Sequence, residues 1–98
     1  MNYFEYIKDL KKELQKEGFI IDGIVGSMSR GEKFNDIDIV YHVNDKFVDK
    51  YGGFGAIIEI EKIKAKLKER LKKEIDLIAL SNMSKTAKEY MMKDFKRV

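Results

Sequence analysis

Three aspartates and one glycine-serine pair are the residues of this 98-residue chain whose types and spacing can do chemistry. Asp36 and Asp38 stand in Asp36-Ile37-Asp38-Ile39, a strict polar and apolar alternation. In a strand, residues two apart point to the same face, so the two carboxylates lie side by side while Ile37 and Ile39 enter the core. Such a pair is mutually repulsive unless a cation sits between its members. Paired carboxylates are the hard oxygen ligands that Mg²⁺ prefers, with waters and nucleotide phosphates completing its octahedron. Asp76, in Ile75-Asp76-Leu77-Ile78, joins them as a third ligand if its strand lies beside theirs. Three carboxylates can hold two divalent ions, one gripping a triphosphate and one lowering the pKa of an attacking hydroxyl. That is the electrostatic arrangement needed for phosphoryl or nucleotidyl transfer.

Gly26-Ser27 supplies what carboxylates cannot, namely donors to phosphate oxygens. Glycine permits close backbone approach, the serine hydroxyl can donate, and a short helix opened by the turn would aim its N–H groups and positive dipole end at an anion. Arg30, one turn further on, would add a charge-assisted contact to phosphate or brace Asp36 or Asp38. An ion pair that merely orders the loop is the competing account of Arg30. Gly31 ends the short helix.

These residues need a frame, and the hydrophobic periodicity provides one. Tyr3, Ile7, Leu10 and Leu14 recur at three-and-four spacing, a helical stripe ending near Gly18. Residues 19–25, rich in β-branched side chains and bounded by glycines, read as a buried strand that delivers the chain into Gly26-Ser27. Residues 36–43 form a second strand, and Asn44-Asp45 with Gly52-Gly53 marks a loop region. Ile57, Ile60, Ile63, Leu67 and Leu71 return to helical spacing over residues 54–73, and residues 75–80 read as a third strand. Ser81 or Ser84 caps a last helix over residues 85–95, with Ala87, Met91 and Phe95 inward. The expected order is α, β, short α, β, α, β, α in a single α/β domain over residues 1–98.

Composition narrows the chemistry further. The chain has no cysteine and one histidine, so disulfides, thiolate metal sites and multi-His zinc centres are excluded. No apolar run approaches a membrane span, and MNYFEYIKDL carries acids where a signal peptide would be apolar. A cytoplasmic location with no membrane partner is therefore expected. The net charge of +3 does not argue for nucleic acid. The lysine-rich stretch 62–73 reads as a solvated helix face, because its lysines surround the helix without interleaved aromatics.

Gly26-Ser27-Met28-Ser29-Arg30-Gly31 followed by Asn35-Asp36-Ile37-Asp38-Ile39 resembles the signature of the DNA polymerase β-like nucleotidyltransferases. Within that superfamily the Gly-Ser-x-x-Arg-Gly form and the late Ile75-Asp76-Leu77 look like the minimal nucleotidyltransferases, antitoxin partners of HEPN-domain toxins. The eight residues between Ser27 and Asp36 make a slightly shorter spacer than is usual there. The resemblance implies a small mixed β-sheet flanked by helices, the polymerase β palm-like fold. It implies Asp36, Asp38 and Asp76 as catalytic metal ligands, with Asp76 activating the incoming hydroxyl. Gly26, Ser27 and Arg30 would bind nucleotide phosphate. It further implies Mg²⁺, in two copies, and ATP as substrate. AMP would pass to a tyrosine of a cognate HEPN ribonuclease toxin. A binding-type antitoxin that acts by complex formation, and an RNA-directed nucleotidyltransferase using the basic helix, are the alternative readings.

Other residues carry less. His42 shares the strand face of Asp38 but has no evident partner, and reads as a strand-end residue. Gly52-Gly53-Phe54-Gly55 lacks the Lys-Ser/Thr ending of a P-loop and reads as a flexible connection, with a lid over the nucleotide as its functional option. Tyr41 and Tyr90 are candidate self-modification sites that nothing in their surroundings singles out. Ninety-eight residues leave no room for a separate acceptor-recognition domain, so the acceptor is expected to bring its own surface.

Overall fold

The computed structural model describes residues 2–98. Helix α1 (Tyr3–Gln15) starts where the Asn2 side chain accepts a hydrogen bond from the Glu5 N–H at 3.3 Å, satisfying one of the orphan donors of the first turn. Its stripe is the expected one, with Ile7, Leu10 and Leu14 buried. Strands β1 (Phe19–Val25) and β2 (Asp36–Val43) pair antiparallel. After β2 come helices α2 (Asp45–Tyr51) and α3 (Gly53–Leu71), then β3 (Glu74–Ala79), which lies parallel to β2. A 3₁₀ turn (Leu80–Asn82), helix α4 (Lys85–Met91) and a two-residue strand β4 (Lys96–Arg97) complete the chain. The sheet order is β3-β2-β1-β4, a mixed sheet as expected.

One sheet face carries the main core. Ile21, Ile24, Ile37, Ile39 and Ile75 pack there against Ile7, Leu10 and Leu14 of α1 and Ile63, Leu67 and Leu71 of α3. Burying each such side chain contributes about 1.5–3 kcal/mol before conformational entropy is subtracted. A parallel strand pair cannot be joined by a tight turn, so α2 and α3 form the long connection from β2 to β3. This crossover places Asp76 beside Asp38 in the ladder although 37 residues intervene.

The structure corrects several sequence expectations. No short helix follows β1: residues 27–31 form a turn closed by Arg30 N–H to the Gly26 carbonyl at 3.2 Å and Glu32 N–H to the Ser27 carbonyl at 3.0 Å. Glycines at φ +83° (Gly26) and +74° (Gly31) bracket it, and the few residues between them cannot propagate a helix whose nucleation alone fixes a full turn. Residues 45–51, expected as loop, form α2 because Asn44 caps the Phe47 N–H at 3.3 Å and Phe47 is fully buried. The last helix ends at Met91, with Ala87 exposed instead of inward. Ile57 is 61% exposed, because the buried stripe of α3 runs through Ala56, Ile63, Leu67 and Leu71 and leaves Ile57 beside it. Among the described residues no helix is long and apolar enough to cross a membrane.

Candidate active site

Strand β2 alternates as its sequence requires. Ile37 and Ile39 are fully buried in the main core, whereas Asp36 is exposed and Asp38 half-buried on the opposite face. The parallel ladder sets Asp38 against Asp76 and Ile37 against Ile75, and paired residues share a face. The antiparallel ladder sets Val25 against Asp38, so the turn that follows begins directly over the Asp38 carboxylate. A Cβ added to Gly26 would collide with Asp38 Oδ2. Glycine is therefore required there twice over, for its φ of +83° and for the close approach.

The electrostatics follow from this crowding. Burial, then the charge and shared hydrogen bonding of Asp76, then the charge of Asp36 push the Asp38 carboxyl above its usual range, with Arg30 acting in the opposite direction. Asp76 perturbs Asp38 more than its own strand neighbour Asp36 does. The donor set suits a hard divalent cation: oxygen ligands only, with a repulsion that bound positive charge would relieve. Among the described residues no group of three or more His, Cys, Asp or Glu side chains is arranged to hold an ion.

Ser27 and Arg30 lie on the turn above the carboxylates. Arg30 donates from Nη1 to Asp94 Oδ2 at 2.8 Å and from Nε to Glu32 Oε1 at 3.1 Å, and its Nη2 lies 3.4 Å from Ser27 Oγ. The bond to Asp94, then that to Glu32, raises its pKa. Arg30 thus braces the turn and the C-terminal segment, not Asp36 or Asp38. With no helix behind Ser27, the turn offers a hydroxyl, backbone N–H groups and a guanidinium, and no helix dipole. Ser29 is buried, its hydroxyl donating to the Gly26 carbonyl at 2.7 Å, which fixes the turn from below.

Two partners escaped sequence reading. Asp94 is 64 residues from Arg30, and no local pattern announces the pair. Asp22 sits where the β1–β2 register shifts between Ile21 and Gly23, and its Oδ2 is 2.8 Å from His42 Nδ1. The expectation that His42 has no partner is therefore corrected; the signal was the Asp22-Gly23 pair, a bulge mark inside a strand pattern. Gly52 to Gly55 joins α2 to α3, the helices packed on the core face after the far end of β2, so it forms no lid over the carboxylates. Tyr41 is stacked on Phe19 at 4.7 Å in the core and is closed to modification.

The mixed four-stranded sheet thus carries α1 and α3 on one face and a carboxylate pair under a Gly-Ser turn on the other. No protein-family model and no curated protein matches the sequence. Solved structures do match in fold. A chain of the MntA-HpeT toxin-antitoxin complex aligns with a TM-score of 0.68 at 23% identity, over 100% of this chain and 72% of that one. A structure described as a minimal nucleotidyltransferase aligns with a TM-score of 0.69 at 15% identity, over 96% of this chain and 94% of that one.

Proposed function

We propose that the protein is an antitoxin of the minimal nucleotidyltransferase type, transferring AMP from ATP to a tyrosine hydroxyl of a cognate HEPN ribonuclease toxin in a Mg²⁺-dependent reaction. The observation that carries this reading is the ladder pairing of Asp38 with Asp76, directly below the Gly26-Ser27 turn. The toxin-antitoxin neighbour supports the antitoxin part of it.

Asp36, Asp38 and Asp76 would hold Mg²⁺, which when bound neutralises phosphate charge and lowers the pKa of the attacking hydroxyl. The chain's own residues do the rest. Gly26 lets the turn descend onto the carboxylates, Ser27 and the backbone N–H groups beside it bind phosphate oxygens, and Arg30 stands ready to neutralise the departing pyrophosphate. Asp76, the more exposed member of the ladder pair, accepts the acceptor proton as the tyrosine oxygen attacks the α-phosphorus and the bond to pyrophosphate breaks. Positioning and charge neutralisation supply the rate.

A second reading has the protein neutralise its partner by complex formation alone, which the likeness to a chain of a toxin-antitoxin complex equally supports. Co-expression separates the two. The enzyme reading expects toxin neutralisation to disappear with Asp36→Asn and Asp38→Asn while both variants remain folded. Neutralisation that survives both changes overturns it.

A further inference from the structure

The connection from β3 to β4 runs from one edge of the sheet to the other. It crosses the carboxylate face. Gly23 pairs with Val40 on β2, the strand position two beyond Asp38, and Val40 is fully buried without belonging to the main core cluster. What covers this face is the C-terminal segment: Val40 shares a cleft with Leu80, Met92 and Phe95, and a Cβ on Gly23 would stand 2.6 Å from two Phe95 ring atoms. Residues 84–98 are thus a strap across the site, tied down at Arg30 by Asp94 and at β1 by two residues of β4.

The strap's helix differs from the other three α-helices of the fold. Helices α1, α2 and α3 each bury at least one side chain, whereas α4 buries none. Tyr90 is 76% and Met92 55% exposed. Residues 85–98 hold five Lys or Arg against two acids, a balance of +3 that equals the charge of the whole chain. Among the described residues Lys85, Lys88, Lys93, Lys96 and Arg97 make no ion pair. A wall of the active site is therefore basic, its lysines and Arg97 outside any ion pair and its Tyr90 and Met92 exposed, while the other 84 residues balance to neutrality.

We infer that this strap is the acceptor-recognition surface, and that it takes an acidic protein segment carrying the aromatic acceptor. The inference rests on the nucleotidyltransferase reading and names the partner chemistry of that site. Acidic side chains flanking the acceptor would meet the unpaired lysines, and apolar ones would cover Tyr90 and Met92, giving both steering and contact area. A protein is favoured over RNA because the structural neighbour is a complex between two proteins.

The test measures binding without ATP or Mg²⁺, so it stands apart from whether transfer occurs. The full chain is titrated into fluorescent poly(Glu,Tyr), poly(Lys,Tyr) and a 20-nucleotide RNA, alongside two triple variants with the same charge change. K85E/K88E/K93E alters the strap; K8E/K46E/K62E alters exposed lysines elsewhere, and circular dichroism confirms that both fold. Binding of poly(Glu,Tyr) that falls at least tenfold for the strap variant and less than threefold for the other, with none for poly(Lys,Tyr), is the expected result. No binding of poly(Glu,Tyr), or equal losses for the two variants, overturns the inference. So does strap-dependent RNA binding tighter than that of poly(Glu,Tyr), which marks a nucleic-acid surface.

Discussion

Asp38 and Asp76 face one another across parallel strands, and Asp76 is the charge that acts most strongly on the Asp38 carboxyl. Asp38 carries that cost visibly, held above the normal carboxylate range first by burial and then by Asp76. With no cation between the two carboxylates, this pairing works against stability.

Asp38→Asn therefore separates stability from function. Removing one of two half-exposed like charges is expected to stabilise the metal-free protein by about 0.5–1 kcal/mol once solvent screening is allowed for, raising Tm by roughly 2–6 °C in a domain of this size. Adding Mg²⁺ reverses the order, because only the parent gains a ligand-linked shift. Thermal melts with and without Mg²⁺ check both halves.

The same residue sets a pH dependence. Its folded pKa is raised, so the folded state binds more protons than the unfolded chain between the two values, and stability falls as pH rises through that interval. Below the unfolded value Asp38 contributes nothing; above the folded value its full cost is present. Mg²⁺ needs the carboxylate, so nucleotide binding in Mg²⁺ should weaken on acidification from a higher pH than an ordinary aspartate would give, and Asp38→Asn should abolish that limb. Titrations of ATP affinity between pH 4 and 8 report it.

Gly26→Ala combines a left-handed backbone with a collision against Asp38. A loss of about 1–2 kcal/mol is expected from strain alone. Displacement of Asp38 should also cost transfer activity more than Asp38→Glu does. Urea midpoints and initial rates, measured on the same preparations, distinguish the two effects.

Arg30 is held by Asp94 and Glu32 at the surface, where solvent screens ion pairs and leaves them little weight in stability. Arg30→Ala should leave Tm within a few degrees while raising the KM for ATP several-fold, by loss of a phosphate contact. Asp94→Ala frees the guanidinium and loosens the strap, so it should affect the acceptor KM more than the ATP KM. Steady-state kinetics with each substrate varied in turn makes the comparison.

The strands, the buried stripe of α1 and the two-apart carboxylates were legible in the sequence because period and alternation are local. Asp76 was legible as an acid in a strand, but its place beside Asp38 depended on a 19-residue helix turning the chain back parallel. The turn at residues 26–31 escaped because two glycines at positive φ stop the helix that the Gly-Ser pattern predicts. Helix α2 escaped because it is seven residues long and is held by the Asn44 cap, one buried side chain, Phe47, and long-range bonds of Lys50 and Tyr51 to Glu17. Arg30–Asp94 and Asp22–His42 are long-range pairs between elements, and no one-dimensional pattern encodes them.

Position-specific labelling of ATP tests the central claim most directly. With Mg²⁺ and the protein product of the adjacent reading frame as acceptor, label on the α-phosphorus should appear on an acceptor tyrosine. Label on the γ-phosphorus should leave as pyrophosphate, and Asp36→Asn, Asp38→Asn and Asp76→Asn should each abolish transfer. Transfer of the γ-label, or α-label transfer that survives all three substitutions, would contradict the account.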